Sequence, residues 1–238
     1  MEPSKLKSIL FLGDSFTWGQ GLHYYHLIEN KAWDWEKCSN FLESRERFEN
    51  LGYEADEYRR INAFTNLVCK ELNCRPIIPQ QENGGDNPRI IDILENINLY
   101  VTDNAIDCII TQFSCPSRIN DNERYNFKSI DEIINYQIET INDLSNKLNK
   151  PWFGLAWKPQ VGNVLNTKYS ENHIPIQYKG KEHNSFDIDS MNNFRSLIIG
   201  GNDQIRDFHP NLEGHKVIKD SIIHKLTRVR PPFERIGN

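Results

Sequence analysis

Nowhere in the 238 residues is there an unbroken apolar run of about 18, the length a helix needs to span a bilayer. The first seven residues are polar and lead straight into an apolar stretch, so no secretory leader is expected. An excess of positive charge is missing too. Lys and Arg number 28 against 33 Asp and Glu, a formal net charge of -5, which speaks against a nucleic-acid binder that works by neutralising phosphates. Cysteine is sparse and odd in number. Cys38, Cys69, Cys74, Cys108 and Cys115 fall in no metal-ligand spacing, so free thiols in a reducing compartment are expected, with no metal and no cofactor. These absences lead us to expect a soluble protein, cytoplasmic or virion-associated, with no nucleic-acid or membrane partner. The length suits one domain over 1–238, since two cores would be cramped.

What is present begins at Ser8-Ile9-Leu10-Phe11-Leu12, an apolar run that breaks into Gly13-Asp14-Ser15-Phe16. This reads as a buried strand ending in a tight turn that presents the Ser15 hydroxyl at a sheet edge. A serine in a turn is commonly a solvated or capping residue. The other end of the chain carries Asp207-Phe208-His209-Pro210-Asn211 and then Gly214-His215. A serine nucleophile needs a base within hydrogen-bond reach and a carboxylate to orient it, and these need not be close in sequence.

With those two blocks nearly bracketing it, the chain resembles the GDSL/SGNH hydrolase family of serine esterases and deacetylases. The resemblance implies a triad of Ser15, His209 and Asp207, and an oxyanion hole that includes the Ser15 N–H. It also implies a second-block glycine, for which Gly85 in Glu82-Asn83-Gly84-Gly85-Asp86-Asn87-Pro88 is the better match. Glycine suits that position because substrate must approach the backbone closely. Two features depart from the family. Its third block reads Gly-x-Asn-Asp, but this chain has Gln112-Phe113-Ser114-Cys115 with no Asn. Gln112 or Ser114 would have to supply the neutral donor, and Gln112 ranks ahead because a long amide can replace an amide. The family spaces Asp and His by three; here Asp207 stands two before His209, Arg206 takes the usual acid position, and Asp203 is the reserve.

The implied fold is α/β: a flavodoxin-like three-layer sandwich with a parallel sheet of about five strands. The order of elements agrees with it. Residues 23–58, with Trp33-Asp34-Trp35, read as an aromatic and charged insertion: either a specificity lid stacking on a sugar, or an accessory hairpin packing on the body or on another subunit. Apolar spacing predicts a helix over Arg60–Leu72, an edge strand near Arg75–Pro79 and a helix after Asn87-Pro88. A buried strand is expected at Ile106–Thr111, a helix over Ser129–Asn149 opened by a Ser129/Glu132 capping box, and a strand over Pro151–Trp157. The polar stretch 160–193 reads as a long rim loop with His173 and His183 solvated. A short strand at Phe194–Ile199 and an Asn211-capped helix follow, with His215 structural inside that helix. Alternating strands and helices imply a parallel sheet with right-handed crossovers.

The implied activity is hydrolysis of a carboxylic ester, foremost an acetyl group on a carbohydrate, through an acyl-enzyme on Ser15. The substrate would be a small-molecule or glycan ester. Two other classes stand beside it: an O-acyltransferase with the same triad, and a non-catalytic carbohydrate-binding or structural protein on a degenerate hydrolase scaffold.

Overall fold

In the computed structural model, residues 6–19, 21–22, 25–26, 53–79, 96, 106–116, 127, 129–186, 198–199, 205–206 and 209–228 are described. The organising element is a four-stranded parallel sheet in the order β2-β1-β3-β4. Its strands are β1 (Ser8–Leu12), β2 (Arg75–Ile77), β3 (Cys108–Phe113) and β4 (Trp152–Ala156). Strands β1, β3 and β4 are buried along their whole length, as continuous apolar runs require when both faces of a sheet are covered. Strand β2 sits at the edge, where Pro76, which has no N–H to donate, costs the ladder least. At the other end of the strands the Asp107 carboxylate accepts from the backbone N–H groups of Lys7 (2.7 Å) and Ser8 (3.0 Å).

Side chains alternate across each strand, and the helices divide accordingly. On one face Ile9, Phe11, Cys108, Ile110, Phe153 and Leu155 pack with helices α3 (Phe64–Leu72) and α6 (Leu212–Arg228). On the other, Leu10, Leu12, Ile109, Trp152 and Ala156 pack with α4 (Ile130–Leu148) and α5 (Pro159–Lys168). Helices therefore cover both faces of the sheet. Helix α4 starts as its capping residues predict, with Ser129 Oγ accepting from the Glu132 N–H at 3.2 Å. Its stripe Ile134, Ile138, Ile141, Leu144 and Leu148 is buried, whereas Ile130 in the first turn is half exposed.

Several expectations are corrected. The helix expected over Arg60–Leu72 is two helices, α2 (Tyr53–Asn62) and α3, broken at Ala63, whose extended backbone serves as the α3 N-cap. Ile61 consequently lies on the exposed side. The stretch 160–193 is not a long rim loop: α5 is followed by an antiparallel hairpin of β5 (Ile176–Tyr178) and β6 (Lys181–His183), while residues 187–193 lie outside the described set. His173 is not solvated. It is 2% exposed, and its segment joins the free edge of β4, with Gly154 N–H donating to Asn172 O and Ile174 N–H to Gly154 O. Ile198–Ile199, expected as a last sheet strand, instead forms a small antiparallel ribbon with Ile205–Arg206. Of the 23–58 insertion, only Tyr25, His26 and the start of α2 from Tyr53 are described.

Among the described residues no helix is long and apolar enough to cross a membrane. Cys69, Cys74, Cys108 and Cys115 are free thiols; Cys38 lies outside the described residues.

Candidate active site

The chain leaves β1 at Leu12 and turns immediately into a one-turn helix, α1 (Ser15–Trp18). Three features make that turn. Asp14, fully buried, is the N-cap, its carboxylate accepting from the Phe16 N–H at 2.9 Å. Gly13 allows close packing: a Cβ at that position would stand 1.8 Å from Thr17 Oγ1 and 3.0 Å from Gln112 Oε1. Gly19 ends the helix in the left-handed conformation at φ 87°, which favours glycine. Ser15 is thereby fixed as the first residue of α1, just beyond the carboxyl end of a central strand.

At the far end of the chain, His209 precedes α6. That helix is anchored where the sequence places it, with Asn211 Oδ1 accepting from the Gly214 N–H at 2.7 Å. His209 Nε2 lies 2.8 Å from Ser15 Oγ, although the two residues are 194 apart in the chain. With Nε2 unprotonated, the hydroxyl donates to it, which is the arrangement a general base needs. Only 6% of Ser15 is exposed, so this bond is largely shielded from water.

Aromatic rings hold the pair from one side. Phe16 stacks on Trp157 at 3.8 Å between centroids and meets the His209 ring near edge-on at 5.0 Å. Trp157 in turn packs against Phe186 at 5.2 Å. Behind α1, the Arg59 guanidinium lies 3.6 Å over the Trp18 ring, donates to the Trp18 carbonyl and pairs with Asp56 at 2.8 Å. This ties α2 to the turn that carries Ser15.

Gln112, at the carboxyl end of β3, is buried and joined to the same turn. Its Oε1 accepts from the Asp14 N–H (3.3 Å) and from Thr17 Oγ1 (3.2 Å). The other end of the amide, Nε2, is buried with no hydrogen-bond partner. A bare buried donor is costly, on the order of 1–3 kcal/mol. Ser114 is also buried nearby in sequence, just past β3.

Scanned against protein-family models the chain matches none, and among curated proteins it has no significant match. The site therefore stands on its own geometry. His215, one turn into α6, is fully buried, and its Nδ1 accepts from the Phe64 N–H at 3.1 Å while its ring stacks on Phe64. Burial, with a smaller contribution from the neighbouring His209, pushes its pKa down to about 3. It is a neutral structural strut between α6 and α3, as its helical position implied.

Of the residues singled out in the sequence, Ser15 and His209 meet. Gln112 reaches the turn that carries Ser15, and Ser114 is buried just past β3. Gly85, Asp203 and Asp207 lie outside the described residues. Four participants escaped sequence reading. Asp14 was findable as an Asp directly before a helix start. Thr17 and the Phe16–Trp157 stack carry no local signal, because each contact depends on distant chain segments meeting.

Proposed function

We propose that this chain is a serine hydrolase that cleaves carboxylic esters, of the GDSL/SGNH type that its end blocks resemble. The observation that carries the reading is the 2.8 Å contact between His209 Nε2 and Ser15 Oγ. The sheet order supports it. The chain runs from β1 out to β2 and then back past β1 to β3, so the direction of winding reverses between β1 and β3. In open parallel sheets a ligand crevice forms at the carboxyl ends on either side of such a reversal. Ser15 follows β1, and Gln112 stands at the end of β3. The 2-1-3-4 order supports the flavodoxin-like sandwich that the resemblance implies.

In the proposed reaction His209 takes the Ser15 proton as Oγ attacks the ester carbonyl, then returns it to the departing alcohol. Asp207 is assigned to orient the imidazole. Water, activated by the same histidine, releases the acid from the acyl-enzyme. The developing oxyanion is assigned to the N–H groups of Ser15 and Gly85, with Gln112 Nε2 as the third donor in place of the family's asparagine. The partnerless Nε2 supports Gln112 over Ser114 for that role: its carbonyl end is already held by Asp14 and Thr17, which leaves the amide nitrogen without work in the resting protein. The proposed substrate class is an O-acetylated carbohydrate. That preference rests on the family habit and on the Trp-rich stretch 23–58, which lies mostly outside the described residues.

The test is labelling with a fluorophosphonate probe, read by intact mass and peptide mapping. A single adduct on Ser15, absent in Ser15→Ala and in His209→Ala, is the expected result, followed by acetate release from acetylated sugars. If a control esterase is labelled and Ser15 is not, the protein is a binding protein on a hydrolase scaffold. Loss of acetyl from the donor only when an acceptor alcohol is added, with the acetyl recovered as an ester of that acceptor and not as free acetate, would identify an acyltransferase.

A further inference from the structure

A cavity of about 290 Å³ lies away from Ser15, between the end of α5, the β5–β6 hairpin and the last two turns of α6. Lys225 on its wall is 13 residues beyond Leu212, about 20 Å along the helix axis at a rise of about 1.5 Å per residue, whereas His209 precedes the opposite end. The two places are therefore separate sites on one helix.

Two cations and one carboxylate line the cavity, with a second carboxylate, Glu171, close enough to act on Lys225. Lys225 is half-buried, and burial holds its ammonium below the usual lysine pKa. Its hydrogen bond is to a neutral group, the Ser170 carbonyl at 3.2 Å, and among the described residues no carboxylate reaches it at ion-pair distance. Arg228 adds a second cation at the exposed helix end. His224 also lines the cavity, and its Nε2 is buried with no hydrogen-bond partner. His173 contributes a ring whose Nε2 is already engaged by Asn184 O at 3.0 Å. Glu182 is the carboxylate on the wall, and one of its oxygens accepts from Gln177 Nε2 at 2.8 Å.

We infer that this cavity binds a small oxyanion, a carboxylate or a phosphate monoester, held by Lys225 and Arg228 with His224 Nε2 as an additional partner. A desolvated ammonium without a bonded carboxylate and a buried imidazole nitrogen without a partner both gain from one anionic oxygen. The helix C-terminus, with roughly half an elementary charge, and the carboxylates Glu182 and Glu171 near Lys225 all oppose an anion, so binding rests on the direct contacts offered by Lys225, Arg228 and His224 Nε2 and not on the net field.

The experiment is thermal unfolding and calorimetric titration of the whole chain with inorganic phosphate and with acetate, at ionic strength matched by sodium chloride. Saturable stabilisation by one of the two is expected and identifies which oxyanion is preferred. Lys225→Met should weaken that binding about tenfold or more, the loss of a charge-assisted hydrogen bond. Arg228→Gln, at an exposed position, should weaken it less, and Glu182→Gln should strengthen it by removing the repelling carboxylate. Circular dichroism of each variant checks that it is folded. Absence of saturable binding by both anions, equal binding in folded Lys225→Met, or weaker binding in Glu182→Gln would each overturn the assignment. Labelling of Ser15 in Lys225→Met should match the parent chain, which keeps this site independent of the hydrolase reading.

Discussion

Acidification should destabilise this protein through its buried histidines, His215 foremost. His215 is buried between α6 and α3, and its pKa is pushed from the usual 6.5 down to about 3. A depressed folded pKa means that the unfolded chain takes up the proton first. Stability contributed by the neutral ring is therefore complete above pH 6.5 and is lost as the pH falls toward 3. Each pH unit inside that window costs about 1.4 kcal/mol, so the step from pH 7.5 to 5 should cost about 2 kcal/mol from this residue alone. Carboxylates titrate over part of the same range and must be separated. His215→Asn does so: its Oδ1 can occupy the position of Nδ1 and accept from the Phe64 N–H, yet it does not titrate. Urea unfolding of both chains at pH 7.5, 6 and 5 gives the difference in stability. That difference should shift by about 2 kcal/mol against the histidine protein on acidification, on the order expected for a fully buried neutral imidazole. Parallel curves for the two chains would refute the reasoning, because they would mean that His215 binds protons equally in the folded and unfolded states.

Gly13→Ala should fold less stably by about 1–3 kcal/mol, because the new methyl would collide with Thr17 Oγ1, and it should lose most Ser15 labelling. Unchanged labelling would show that the turn tolerates a shift at Thr17. Gln112→Ala leaves the buried Asp14 N–H without its acceptor, a loss of about 1–3 kcal/mol measured by urea unfolding. The same change should lower ester hydrolysis about a hundredfold or more if Nε2 is an oxyanion donor, acting on kcat more than on KM. A loss of stability with full kcat would confine Gln112 to bracing the turn.

Local chemistry was legible wherever a few adjacent residues decide the outcome. The Ser129 and Asn211 caps, the edge position of the proline-bearing β2, the buried runs of β1, β3 and β4, and the α4 stripe follow from spacing and from donor or acceptor capacity alone. The Ser15 turn after β1 is of the same kind, since Asp14 and Gly13 act within four residues of Ser15. Composition misled at 160–193: its polar residues suggested a loop, but α5 buries Val161 and Leu165 and the hairpin buries Ile176, few apolar groups placed at the right contacts. His173 shows the same limit, because a histidine is buried or solvated according to whether a strand edge such as β4 has a free position for its backbone.

Only the tertiary structure decided which distant groups touch. Ser15 meets His209 because β1 ends and α6 begins at the same rim of the sheet. Gln112 meets Asp14 because β1 and β3 are register neighbours, with Leu12 opposite Thr111. The Phe16–Trp157 stack and the Lys225 cavity likewise join segments far apart in sequence. Residue types set what each group is able to do. The backbone path, fixed by burying two apolar faces of one sheet, set which of them do it together.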